Sequence, residues 1–213
     1  DDTDSAAATA SSGERRVFYD AVNGRYCLFF YSAGNGAITF AYSADGVTWA
    51  LPASPTIAYD PTAFALTYKA VSGTGYVFLA VESDDDIVFR RGELGEDAEI
   101  DFTYAEALVF GDGTDDPYTN PSIALTADSD YVWIAAVRDT GEELYDNLRI
   151  YAVRSDNPAD GDLATLDWGN TVAALPVGQA AHAVGDIVLL PKNDSDDIYL
   201  IEAVDAPNIV GYA

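Results

Sequence analysis

From Val17 onward, short apolar runs alternate with clusters of Gly, Asn, Asp and Ser. VFYDA at 17–21, YCLFFYSA at 26–33 and AITFAYS at 37–43 are rich in aromatic and β-branched residues, which suit a pleated, half-buried surface. Within the third run, Ile38, Phe40 and Tyr42 repeat with the two-residue period of a strand. Asn23-Gly24, Gly34-Asn35-Gly36 and Ala44-Asp45-Gly46 separate these runs as turns. Gly takes positive φ without steric cost there, and Asn or Asp bonds the backbone just downstream. VTWALP at 47–52 reads as a fourth strand. No segment has convincing helical periodicity; GEELYDN at 141–147 has room for one turn.

The pattern then recurs. AFALTYKA, YVFLAVES, IVFRRGEL and IDFTYAEAL cover 63–108. PSIALTA, YVWIAAVR, LRIYAVRS and ATLDWGNTVAALP cover 121–176, with an insertion at Asn157–Leu163. AHAVGDIVLLP, IYLIEAV and IVGYA begin a fourth unit. Second strands start at Tyr26, Tyr76, Tyr131 and Ile198, spacings of 50, 55 and 67 residues. Four antiparallel strands repeating on this scale predict an all-β propeller with blades of about 50 residues. The blades fall at 14–58, 59–117 and 118–178, with an incomplete one at 179–213. Residues 1–13, DDTDSAAATASSG, have nothing to bury and read as a flexible leader.

The fourth unit stops within its third strand, and an open blade leaves an unpaired edge. Closure has three routes: further blades of a five- or six-bladed propeller, a strand from the leader, or a strand from a neighbouring copy. The first is favoured, because the leader is a poor strand former.

Charge changes the picture more than length does. Against 10 Lys and Arg stand 36 Asp and Glu, a net charge of -26. Phosphate binding needs clustered cations, so nucleic acid is not an expected partner. The 49% hydrophobic content separates the chain from a disordered acidic tail, and no apolar run is long enough to span a bilayer. There is no Met, so Asp1 is not a translation start. A mature secreted chain, extracellular or at the cell surface, is expected. Cys27 stands alone and reads as a small buried hydrophobe.

Ile38–Trp49, ITFAYSADGVTW, resembles the Asp-box of sialidase-like propellers, one residue shorter, and is closer to the variant in five-bladed glycosidase-type propellers. The resemblance implies that Ser43, Asp45, Gly46 and Trp49 form a structural turn at the blade rim. It also implies a ligand site on the central axis, near the starts of the innermost strands. Aligning the units puts Glu14, Arg15, Asp60, Asn120 and His182 there, flanked by Tyr59 and Tyr118. Asp60-Pro61 resembles the Asp-Pro that carries a catalytic carboxylate in five-bladed hydrolases of arabinans, xylans and fructans. Glycoside hydrolysis needs a second carboxylate. Where those enzymes place a Glu, this chain has Tyr118-Thr119-Asn120-Pro121; only Asp115 and Asp116 lie upstream.

Each candidate has a plainer reading. Pro starts a strand well and Asp bonds the backbone beside it. His182 sits among small apolar residues, as core histidines do, and with one His in the chain a His-based metal centre is excluded. Acidic turns at 84–86, 112–116 and 193–197 read as solvated. If one binds Ca²⁺, Asp112, Asp115 and Asp116 are the choice, because Gly113 lets the backbone wrap an ion. Trp133 is core packing; Trp49 and Trp168 occupy equivalent places in two blades, which favours structure over sugar stacking.

The expected function is a non-catalytic propeller with a structural, assembly or glycan-binding role, with glycans or copies of itself as partners and no required cofactor. The alternatives are a secreted glycoside hydrolase using Asp60 and a lectin-like module of a larger protein.

Overall fold

The computed structural model describes residues 16–54, 56–57, 63–102, 104–111, 117–139, 148–159, 168, 172–173, 184–204 and 209–212. Among these every regular element is a β-strand. The strands form four antiparallel sheets that follow one another along the chain.

Sheet 1 orders β1 (Val17–Asp20), β2 (Arg25–Ser32), β3 (Ala37–Ser43) and β4 (Thr56–Ile57). Sheet 2 orders β5 (Phe64–Val71), β6 (Thr74–Ser83), β7 (Asp86–Leu94) and β8 (Ile100–Asp101), with β9 (Ala107–Phe110) also on β7. Sheet 3 orders β10 (Tyr118–Leu125), β11 (Val132–Asp139), β12 (Leu148–Arg154) and β13 (Val172–Ala173). Sheet 4 contains β14 (Val184–Pro191), β15 (Ile198–Val204) and β16 (Ile209–Tyr212).

The three long strands of each sheet lie where the apolar runs predict them. The outer strand of sheet 3, Val172–Ala173, falls within ATLDWGNTVAALP, whereas those of sheets 1 and 2 depart from their runs. VTWALP is not a strand: Ala50 makes an isolated bridge to Tyr42, and the pairing partner of β3 is Thr56–Ile57. IDFTYAEAL splits into β8 and β9, which pair with different parts of β7. An outer strand is held by a single neighbour, so its position depends on where that neighbour's backbone is free rather than on its own pattern.

Turn chemistry matches register. β5 and β6 join through Ser72 and Gly73, both at positive φ, and β6 and β7 join through Asp84 and Asp85, also both positive. Two left-handed central residues give the hairpin turn whose twist fits the flanking strands. The expected helical turn at 141–147 lies outside the described residues.

Each sheet is apolar on both faces, and the core lies between successive sheets. Cys27, Phe29, Ile38 and Phe40 of sheet 1 meet Phe64, Leu66, Val77 and Leu79 of sheet 2. The other face of sheet 2, with Ala65, Phe78, Ala80 and Phe89, meets Ile123, Val132, Ile134 and Val153 of sheet 3. Sheet 3 in turn packs Ala135, Val137 and Ile150 on Ile187, Leu189 and Leu200 of sheet 4. Among the described residues the row of sheets does not close on itself. Cys27 is buried as expected, and burial pushes its thiol up to about 11.

Candidate functional site

Contacts at both ends show that the inner strands β1, β5, β10 and β14 run in the same direction. Arg16, just before β1, lies 4.1 Å from the ring centroid of Phe64, the first residue of β5. At the far end of the same two strands, the Tyr68 hydroxyl donates to Asp20 at 2.8 Å. β10 and β14 are tied by the Leu189 N–H donating to Ser122 Oγ at 3.0 Å.

The far end is built for cohesion. Asp20 is fully buried and accepts hydrogen bonds from Asn23 Nδ2, Arg25 Nε and Tyr68. The Arg25 guanidinium also donates to the carbonyls of Gly95 and Glu96, tying sheet 1 to the turn after β7. Lys69 pairs with Asp130 across sheets 2 and 3. Asp196 accepts from Thr126 Oγ1 at 3.0 Å and the Ser129 N–H at 2.9 Å across sheets 3 and 4.

Ser43, Asp45, Gly46 and Trp49 also lie at this end. Asp45 Oδ1 accepts the N–H groups of Val47 at 2.8 Å and Thr48 at 2.7 Å, and the Ser43 hydroxyl at 3.0 Å. Ser43 Oγ accepts the Gly46 N–H at 2.9 Å, and Gly46 turns the chain at φ +74. Those backbone donors hold the Asp45 carboxyl down to about 2. A groove of about 650 Å³ opens nearby, lined by Asn23, Thr74, Glu93, Asp97, Glu99 and Asp101 among others. It is remote from the strand starts.

At the strand-start end, β10 opens with an irregularity between Thr119 and Ser122. Asn120 sits in it at φ +51, a conformation Asn tolerates better than most residues, and Pro121 has no N–H for the ladder. The bulge turns the Asn120 N–H to Glu82 Oε2 of the neighbouring sheet, at 3.2 Å. Glu82 is the last residue but one of β6, and its own N–H donates to the carbonyl of Ala63 at 3.0 Å. β14 carries an irregularity at its start too, between Val184 and Ile187.

Tyr118 is buried, stacked on Phe110 at 5.3 Å and edge-on to Tyr151 at 5.9 Å. The Arg138 guanidinium, at the end of β11, lies 5.3 Å from the Tyr118 ring centroid. Burial lowers the Arg16 guanidinium to about 10, still cationic at neutral pH. The described part of this end therefore brings together Arg16, Glu82, Asn120 and Arg138 over a floor of packed aromatic rings.

Of the candidates read from the sequence, Asn120 and Tyr118 lie here. Glu14, Arg15, Tyr59, Asp60, His182, Asp112, Asp115 and Asp116 lie outside the described residues. Among the described residues no three or more acidic, His or Cys side chains are grouped to hold a metal ion. Glu82 and Arg138 were not foreseen. The signal for Glu82 was available: a two-residue turn at Ser72-Gly73 pairs Phe64 with Val81, which carries Glu82 just past the start of β5.

Trp168 departs from its sequence equivalent. It bridges Ser155 and presents its ring edge-on to Phe89 at 5.2 Å, against the core between sheets 2 and 3, whereas Trp49 is 39% exposed.

No protein-family model and no curated protein matches the chain. Among solved structures it is similar to a thermostable family-43 glycoside hydrolase, at 17% identity and TM-score 0.54, over 91% of this chain and 64% of that one. It is similar to the family-93 α-L-arabinofuranosidase of Fusarium graminearum, solved with arabinobiose, at 11% identity and TM-score 0.55, over 94% of this chain and 67% of that one. An N-acetylgalactosamine deacetylase from F. plautii, in complex with blood group B trisaccharide, is similar at 14% identity and TM-score 0.52, over 92% and 67%. The chain thus spans about two thirds of the length of these structures. The fold is a glycosidase-like propeller at the level of architecture.

Proposed function

We propose that this chain is an extracellular carbohydrate-binding protein that takes a glycan at the strand-start end without cleaving it. The observation that carries the reading is the set Arg16, Glu82, Asn120 and Arg138, drawn from three adjacent sheets to one end. Two cations, one carboxylate and one amide on a rigid aromatic floor suit a neutral, hydroxyl-rich ligand, since convergent polar groups fix orientation and specificity. Similarity in fold to carbohydrate-active proteins agrees with this reading. The high negative charge disfavours acidic polysaccharides, so neutral arabinans or xylans are the first ligands to try.

The test is affinity electrophoresis through gels containing soluble arabinan or xylan. Retardation of the wild type, lost in Arg138→Ala and Asn120→Ala, is the expected outcome. Equal mobility of wild type and variants in every glycan would remove the reading.

A second reading, hydrolysis, has one observation in its favour. Glu82 stands beside the start of β5, three residues in sequence from Asp60 through its bond to Ala63, and would serve as the second carboxylate. Reducing-sugar release that Asp60→Asn and Glu82→Gln both abolish, with gel retardation retained, would establish it over binding alone.

A further inference from the structure

Residues 21–24 join β1 to β2, and residues 33–36 join β2 to β3. The register pairs Asp20 with Arg25 and Ser32 with Ala37, so the two loops have the same length. Both end in Asn-Gly with a left-handed glycine, Gly24 at φ +66 and Gly36 at φ +58. In an Asn-Gly step the side-chain amide is at its least durable, because the glycine nitrogen attacks it with no side chain of its own in the way. The loops differ in the residue that precedes them.

Before the first loop stands Asp20, fully buried, and it holds the loop closed. Its carboxylate accepts the Val22 N–H at 3.1 Å, the Asn23 N–H at 3.3 Å and Asn23 Nδ2 at 2.9 Å. Its carbonyl accepts the Gly24 N–H at 2.9 Å. Both groups that would react, the amide and the attacking nitrogen, are therefore bonded. Before the second loop stands Ser32, whose buried hydroxyl has no hydrogen-bond partner and caps nothing. The Asn35 N–H donates to the Ser32 carbonyl at 3.1 Å, but the Asn35 residue is exposed and its amide is unbonded. Beside Gly36, apart from its chain neighbours, no atom lies within 4 Å of where a Cβ would stand.

We infer that Asn35 is a modification site, at which the folded chain deamidates spontaneously while Asn23 is protected. The Gly36 nitrogen gives its proton to solvent base and attacks the Asn35 side-chain carbonyl carbon. A C–N bond forms and closes a succinimide, and the bond to Nδ2 breaks, releasing ammonia. Water then opens the ring at either carbonyl, leaving aspartate or isoaspartate at position 35 and one more negative charge. At Asn23 the bonds from Gly24 N–H and Asn23 Nδ2 to Asp20 must break first, which slows the step by at least ~30-fold. The products differ in consequence too. Conversion at Asn23 would replace an amide donor by a second carboxylate against buried Asp20, whereas conversion at Asn35 meets solvent.

The experiment incubates the folded chain, and the chain in guanidinium chloride, in one mildly alkaline buffer, followed by trypsin digestion and mass spectrometry. Cleavage after Arg16, Arg25 and Lys69 puts the two steps on separate peptides, 17–25 and 26–69. Fragmentation locates the amide-to-acid mass change, so isomerisation at Asp45-Gly46, which leaves mass unchanged, does not count. The expected result is conversion at Asn35 at least ~30-fold faster than at Asn23 in the folded chain, and comparable rates in denaturant. Thermal melting adds a second readout: Asn35→Asp melts with the wild type and Asn23→Asp melts lower. An Asn35 that stays intact in the folded chain but converts in denaturant overturns the inference. Equal conversion at the two sites in the folded chain overturns it, as does a preference for Asn35 equally large in denaturant. None of these outcomes depends on glycan binding.

Discussion

Deleting the Asp20 carboxylate tests whether the junction of sheets 1 and 2 rests on a buried ion pair. Asp20 is fully buried, and Arg25, its partner at 3.1 Å, is 6% exposed. Asp20→Ala takes the carboxylate from the Arg25 guanidinium, which keeps the carbonyls of Gly95 and Glu96, and removes the acceptor for Tyr68 and Asn23. Stranding one member of a buried pair costs about 3–5 kcal/mol. At ~2–4 °C per kcal/mol for a chain of this size, that is a fall of about 10 °C in Tm. Urea unfolding and calorimetry measure it, in a cycle with Arg25→Met and the double variant. The double variant loses no more than Asp20→Ala plus about half of the Arg25→Met cost, because each single change strands a partner that the double change removes. Costs below about 1 kcal/mol for Asp20→Ala, or strict additivity in the cycle, refute the reasoning.

The pH dependence has a definite sign. Burial pushes the Asp20 carboxyl up, but Asn23, Tyr68 and Arg25 together hold it below the usual range. A depressed folded value means stability that is present above the unfolded value, near pH 4, and lost as pH falls through the folded one. The gap between wild type and Asp20→Ala therefore narrows below about pH 4.

Asp45 follows the same sign: with its carboxyl at about 2, the wild type loses rim-turn stability between about pH 4 and 2, and Asp45→Ala flattens that part of the acid melting profile. Trp168→Ala lowers stability by about 2 kcal/mol through lost packing on Phe89, while Trp49→Ala at its exposed site costs under about 1 kcal/mol, read by thermal melting. Cys27, pushed up to about 11 by burial, stays a thiol at pH 8, so native protein resists iodoacetamide and urea-unfolded protein reacts within the dead time of the native control.

How much was legible in the sequence follows from how local each feature is. The three long strands of each unit, the acidic turn at 84–86 and the cap at Ser43–Trp49 are visible because alternation and turn chemistry act over a few residues. The Asp45 turn needs only its own backbone N–H groups, so its spacing alone announces it. The outer strand of sheet 1 was misplaced because Thr56–Ile57 carries no more pattern than VTWALP, and only the free edge of β3 selects it.

The strand-start cluster was half legible. Asn120 was found because Asn-Pro marks a strand start, but Glu82 and Arg138 lie in runs that read as strand ends. Their role comes from meeting the bulge of β10 across a sheet boundary, a distance of 38 residues for Glu82 and Asn120. The same holds for Trp49 and Trp168, equal in sequence place and unequal in burial, because the Phe89 ring that Trp168 meets belongs to another sheet. The pattern along the chain by itself determined that it folds as repeated antiparallel sheets, since strand and turn preferences are short-range. Which faces meet and which side chains share the strand-start end were decided by tertiary packing, because those contacts join residues whose local patterns carry no record of one another.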